Sequence, residues 1–159
     1  MTELTISSEY SSKILFEKNH IKSTQILEKI RSKQFNEILN GIGHIKDNCL
    51  VIEFKFFKYF SVPVTHDLIT SHMDQLMSEI VSKYNKFNVH MNLQSFSIAD
   101  ADKHSSYIRS ISGFFADKYP ERLNKCYIYN ASFVFETIFK IVNVFIDKDT
   151  LRKIVLVKE

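Results

Sequence analysis

Tyr119-Pro-Glu-Arg-Leu-Asn-Lys-Cys-Tyr-Ile-Tyr-Asn-Ala-Ser-Phe-Val-Phe-Glu-Thr-Ile-Phe-Lys-Ile-Val-Asn-Val-Phe-Ile-Asp-Lys-Asp-Thr-Leu-Arg-Lys-Ile-Val-Leu-Val157 decides the architecture. Pro120 has no N–H and a fixed φ, so a helix arriving from upstream stops near Tyr119. Tyr127, Ile128 and Tyr129 favour a short strand, and Asn130 with Ser132 offers turn and N-cap chemistry. The run Phe133 to Ile146 then reads as one helix, interrupted only by Glu136, Thr137, Lys140 and Asn143. A helix apolar on nearly every face has to be covered on more than one side. A polar turn at Asp147 to Thr150 leads into a last strand, Lys153 to Val157.

Working back from this stretch, Asp100 to Tyr119 reads as a helix presenting Tyr107, Ile108, Ile111, Phe114 and Phe115. Gly113 inside it costs about 1 kcal/mol relative to Ala, which suggests a close approach by another backbone. Before it, Phe87 to Ser97 reads as a strand. Ile69, Met73, Leu76, Met77, Ile80, Val81 and Tyr84 recur at helical spacing after Thr65, which is placed to cap that helix. The stretch Leu50 to Phe60 alternates at period two through Leu50, Ile52, Phe54 and Phe56, and reads as β until Pro63. From Ser23 or Thr24, Ile26, Leu27, Ile30, Phe35, Ile38 and Leu39 predict one helix ending at Asn40-Gly41. Lys29, Arg31 and Lys33 decorate its other faces, either as a solvated surface or as a membrane-touching one. Helix and strand thus alternate four times, which implies an α/β fold: helices flanking a mostly parallel sheet.

Composition narrows the function. The 159 residues suit a single domain, with 1–20 as a polar N-terminal segment and 21–159 as the folded unit. A formal charge of +3 fits attraction to an anionic membrane surface and is too small to argue for nucleic acid. The first dozen residues lack the basic and apolar regions of a signal peptide, and no unbroken apolar run has spanning length. Cys49 and Cys126 each fall in a strand, as two buried thiols of a reducing compartment would. The expectation is a cytoplasmic protein, peripheral to membranes.

Tyr-Pro-Glu-Arg, then Tyr-Ile-Tyr-Asn-Ala, the Phe-rich helix, Phe-Ile-Asp-Lys-Asp-Thr and Lys-Ile-Val-Leu, in that order, resemble the CRAL-TRIO lipid-binding domain. This family includes phosphatidylinositol/phosphatidylcholine transfer proteins, and the similarity fades back to about Leu50. The resemblance implies a CRAL-TRIO-like sandwich, here a minimal, C-terminally truncated one, since family members continue with further helices. It implies a phospholipid or other hydrophobic small molecule as ligand, a transient membrane surface as partner, and no cofactor. The apolar helix would be a movable gate over the lipid pocket, contributed by Phe115, Phe133, Phe135, Ile138, Phe139, Val142 and Phe145. The alternative is a plain core helix, covered by other chain or by a dimer partner.

The resemblance also carries a head-group site. In phosphatidylinositol-binding members the Glu of Tyr-Pro-Glu-Arg, and a Thr and Lys before the last strand, contact the inositol phosphate. Glu121, Thr150 and Lys153 occupy those positions, and the alternative is a surface Glu121–Lys153 ion pair. Departures from the family matter as well. Its Asp-x-x-Gly after the second main strand is Asn92-Leu-Gln-Ser95 here, which loses the charge and the freedom of Gly. Phe87, Val89 and Phe115 stand where the transfer proteins place hydroxyls on phosphatidylcholine, so that subsite is not expected.

Catalytic and metal chemistry find no support in the residues. There is no Gly-rich phosphate loop and no Gly-x-Ser-x-Gly elbow. His66 and His72 are six apart, on different faces of a helix, and His90 in an apolar strand reads as a satisfied core histidine. Asp100 and Asp102 sit at a helix start, where they favour the dipole. The expectation is a non-enzyme: a lipid-binding or lipid-transfer protein, or else a protein-interaction module of the same fold that binds a small GTPase or other partner without exchanging lipid.

Overall fold

A computed structural model describes residues 2–4, 15–16, 23–131, 135–144 and 146–157. Six strands form one sheet in the order β1-β6-β5-β4-β3-β2. They are β1 (Thr2–Leu4), β2 (Gly43–Lys46), β3 (Cys49–Glu53), β4 (Phe87–Asn92), β5 (Leu123–Tyr129) and β6 (Ile154–Val157). Every pairing is parallel except the hairpin β2–β3. The helices bounded among the described residues are α1 (Ser23–Arg31), α2 (Phe35–Ile42), α3 (Phe54–Phe60), α4 (His66–Lys83), α5 (Ile98–Lys118), α6 (Phe135–Val142) and α7 (Lys148–Arg152).

The connectivity dictates where the helices lie. From β3 to β6 each strand steps to the next place in one direction, and right-handed crossovers then put every connecting helix on the same face. One core accordingly joins Leu50, Phe87, Val89, Cys126, Ile128 and Ile154 of the sheet to side chains from α1 through α6. The opposite face is a separate, smaller cluster in which Leu15 and Phe16 cover Val51 and Tyr129. Phe16 meets Tyr129 edge to face at 5.2 Å. Both thiols are buried, and burial pushes Cys49 up to about 11 and Cys126 to about 12. Neither is a nucleophile at neutral pH.

Several expectations are corrected. Leu50 to Phe60 is not one strand: β3 ends at Glu53, and α3 takes Phe56, Phe57 and Phe60 to the core on one helical face. Period two and a short helical stripe overlap in so Phe-rich a run, and tertiary burial selects the helix. The first predicted helix is two, broken after Arg31, where Lys33 adopts a left-handed φ of 58°. Gly41 does not stop α2 but lies within it, because a Cβ there would stand 2.6 Å from the Phe56 ring. Gly113, by contrast, would meet nothing within 4 Å, so no close packing explains it. The β2–β3 hairpin, turning through Asp47 at φ 56°, had no counterpart in the sequence reading. Thr65 does stand at the N-cap of α4, but its hydroxyl closes the preceding turn instead of bonding the helix N–H groups.

Candidate functional site

The apolar helix is shorter than Phe133 to Ile146. α6 covers Phe135–Val142, and the chain turns at Asn143, whose N–H reaches the Phe139 carbonyl at 2.9 Å. Phe133 and Phe145 lie outside the described residues, as do the side chains of Ile138 and Val142. Phe135 is buried at 5% exposure in the main core. Phe139 is half-buried against that core, its ring centroid 5.9 Å from Phe135. Glu136 and Lys140, four residues apart, are both exposed, so α6 has a wet side as well as an apolar one. Phe115 is half-buried on α5 and packs against the same core. Phe87 and Val89 project from β4 into it, filling space where hydroxyls would otherwise be offered.

Glu121, Thr150 and Lys153 come to one end of the sheet. Glu121 is exposed in the turn before β5, at φ 61°. Lys153 immediately precedes β6, and its carbonyl accepts the Cys126 N–H at 2.9 Å. The expected polar turn is α7. Asp147 is its N-cap, accepting from the Thr150 N–H at 2.7 Å and from the Thr150 hydroxyl at 3.0 Å. These donors hold the Asp147 carboxyl below its usual range. Lys153 pairs with Asp149 at 3.2 Å rather than with Glu121. A head group at this edge would take Lys153 from Asp149 and the Thr150 hydroxyl from Asp147.

A second polar group, which the sequence reading did not single out, sits at the opposite end, where β3, β4 and β5 finish. Glu53 is 3% exposed, and its Oε2 accepts from Asn92 Nδ2 at 2.8 Å. Asn92 Oδ1 accepts from Asn130 Nδ2 at 2.7 Å and from the Gln94 N–H at 3.0 Å. Burial pushes the Glu53 carboxyl up to about 7, against the pull of Asn92 and the Lys55 charge. The signal was a lone Glu closing an otherwise apolar strand. Nearby, His90 is buried with Nδ1 at 2.6 Å from the Tyr129 hydroxyl, and desolvation lowers it to about 4. His66 stacks on Tyr107 at 3.9 Å and His72 Nε2 lies 2.9 Å from the Gly43 carbonyl. Among the described residues no group of three His, Cys, Asp or Glu could hold a metal ion.

The loop after β4 shows what the missing Gly does. Leu93 to Phe96 is a turn closed by the Phe96 N–H on the Leu93 carbonyl at 3.0 Å. Its third residue, Ser95, takes φ 67°, the left-handed conformation for which glycine is favoured. Ser95 therefore holds the turn at a cost in backbone strain. Ser95→Gly should stabilise the protein by about 0.5–1 kcal/mol in urea unfolding; no gain would mean the strain is absent.

The CRAL/TRIO domain family model matches residues 33–159, well over half of the chain. The chain belongs to the CRAL/TRIO domain family. Over 64 residues it is 39% identical to the SEC14 cytosolic factor of Kluyveromyces lactis and 41% to that of Candida glabrata. The Sec14 cytosolic factor of Schizosaccharomyces pombe is 38% identical over the same length. Each alignment takes in 40% of this chain, but only 21–22% of the relative's length. The solved structure of Sfh5 shares the fold with a TM-score of 0.61 at 19% identity, over 84% of this chain and 58% of that one. The shared fold is a mostly parallel sheet flanked by helices. Among the described residues no helix is long and apolar enough to cross a membrane.

Proposed function

We propose that this chain binds a phospholipid or a similar hydrophobic small molecule and exchanges it at a membrane surface, with α6 as the movable cover. Family membership supports this most strongly. The form of α6 supports it too: an eight-residue helix with Phe135 in the core and Phe139 half out. The energetics allow it. Burying an acyl methylene gains about 0.8 kcal/mol relative to water, but the chains are already dry in a bilayer. Their transfer is nearly neutral, and head-group contacts select the lipid. Glu121, Thr150 and Lys153 would supply those contacts for a phosphoinositide: an acceptor for hydroxyls, a hydroxyl and a cation for phosphate. The reading is non-catalytic.

Protein purified under native conditions should release stoichiometric lipid on organic extraction, seen by mass spectrometry, and should take up labelled lipid from vesicles. No lipid by either route would reject the reading and leave a protein-interaction module. Lys153→Ala should weaken phosphoinositide uptake several-fold. Neutral-lipid uptake and the melting temperature should hardly change, because the Lys153–Asp149 pair is at a surface edge where ion pairs contribute only about 0–1 kcal/mol. Equal loss for all lipids, or none, would remove the three residues from the head-group role.

A further inference from the structure

Val64 is 84% exposed, the largest exposure among the described apolar side chains, with Val62 at 40%, Leu68 at 43% and Ile98 at 44%. Val62 and Val64 flank Pro63 in the 3-10 turn between α3 and α4, and Leu68 follows one helical turn after Val64. This turn lies at the end of the sheet where helices α4 and α5 begin, the same end as Asn130 and Ala131 leading toward α6. Pro63 has no N–H. The Val62 N–H is bonded to Thr65 Oγ1 at 3.1 Å, the Thr65 N–H to the Val62 carbonyl at 2.9 Å, and the Thr65 hydroxyl donates to the Phe60 carbonyl at 2.6 Å. The turn is thus closed on itself, with Phe60 buried beneath it. Hydrocarbon projects from a backbone whose polar groups are largely paired internally, the condition for entering a nonpolar phase at low cost.

We propose that the Val62–Leu68 corner is a membrane anchor that inserts Val64, with Val62 and Leu68 beside it, into the surface of a zwitterionic lipid bilayer. Size and charge choose this occupant. The patch amounts to a few hundred square ångströms, short of the roughly 800 Å² per partner that a stable protein interface buries. A bilayer accepts single projecting side chains. Between Ser61 and Leu68 the one full charge is the Asp67 carboxylate, since the His66 ring is stacked on Tyr107 with Nε2 at 3.2 Å from Ser61 Oγ. No cation in this segment would draw an anionic surface, so insertion is hydrophobic and indifferent to salt. The inference extends the lipid-binding reading to a second element, and the two fail separately.

Flotation with phosphatidylcholine vesicles tests it. Val64→Asp should lower binding by about tenfold, the order expected for losing one buried Val side chain, with an unchanged melting temperature because the position is exposed. Val64→Trp should bind more tightly, and 0.5 M salt (on the order of a 4 Å Debye length) should not release the wild type. Val64→Asp protein should still carry its extracted lipid, which keeps this test apart from the cargo test. Wild-type binding that is absent, unaffected by Val64→Asp, or confined to anionic vesicles and lost in salt would overturn the anchor. So would a Val64→Asp change in elution volume that reveals a protein interface.

Discussion

Asn92→Asp should destabilise the protein by about 3 kcal/mol at pH 8 and much less at pH 5. The present amide donates to Glu53 Oε2 at 2.8 Å and accepts from Asn130 and Gln94. An aspartate would keep both acceptor roles and turn the donor into a second carboxylate at hydrogen-bond distance, with Glu53 only 3% exposed. Two such groups cannot both ionise cheaply, and at pH 5 they would share a proton. Glu53→Gln should rescue Asn92→Asp, because the carboxamide can donate to the new aspartate. Denaturant unfolding at both pH values checks this. Equal loss at the two, or no rescue, would mean the two side chains are not coupled. The family's Asp-x-x-Gly appears as Asn92-Leu-Gln-Ser95 here, and a buried Glu53 gives the neutral residue a physical reason.

The same cluster sets a pH dependence. The Glu53 carboxyl is raised from 4.5 to about 7 by burial, so the folded state favours its protonated form. That contribution is fully present below pH 4.5 and is lost as pH rises toward 7. Its ceiling is about 3–4 kcal/mol, at about 1.4 kcal/mol per pKa unit. His90 has the opposite sign. Its pKa is lowered from 6.5 to about 4, so its contribution is present above 6.5 and lost as pH falls toward 4. Glu53→Gln should therefore flatten the decline above pH 5 and leave the acid-side loss in place.

The alternation of helix and strand, and the parallel sheet that follows from it, were legible because α4, β4, α5 and β5 each carry one clear period. What was not legible has local causes. Phe54, Phe56, Phe57 and Phe60 satisfy a strand pattern and a helix pattern alike, and only the core beneath α3 decides between them. Lys33 and Asp47 take left-handed turns without a glycine to announce them. Glu121, Thr150 and Lys153 were singled out by resemblance; that Asp147 and Asp149 already engage Thr150 and Lys153 is a contact property no spacing reveals. Glu53 and Asn92 are distant in sequence, and strand pairing alone puts them in register.

The proposed role of α6 as a movable cover yields the largest expected effect. Phe135→Ala should cost about 3–4 kcal/mol, as removal of a fully buried ring generally does, since Phe135 is 5% exposed within the main core. Phe139 is only half-buried, and the exposed Glu136 and Lys140 on the same helix leave water within reach of a new charge. Phe139→Asp should therefore cost about 1–2 kcal/mol while reducing vesicle-to-protein lipid uptake several-fold. A movable cover requires this split: one residue holds the helix to the core, and the next meets ligand or membrane. Thermal melting and lipid uptake on the two variants separate the cases. A loss for Phe139→Asp as large as that for Phe135→Ala, with no specific defect in uptake among the molecules still folded, would make α6 a fixed part of the core, and exchange would have to open elsewhere.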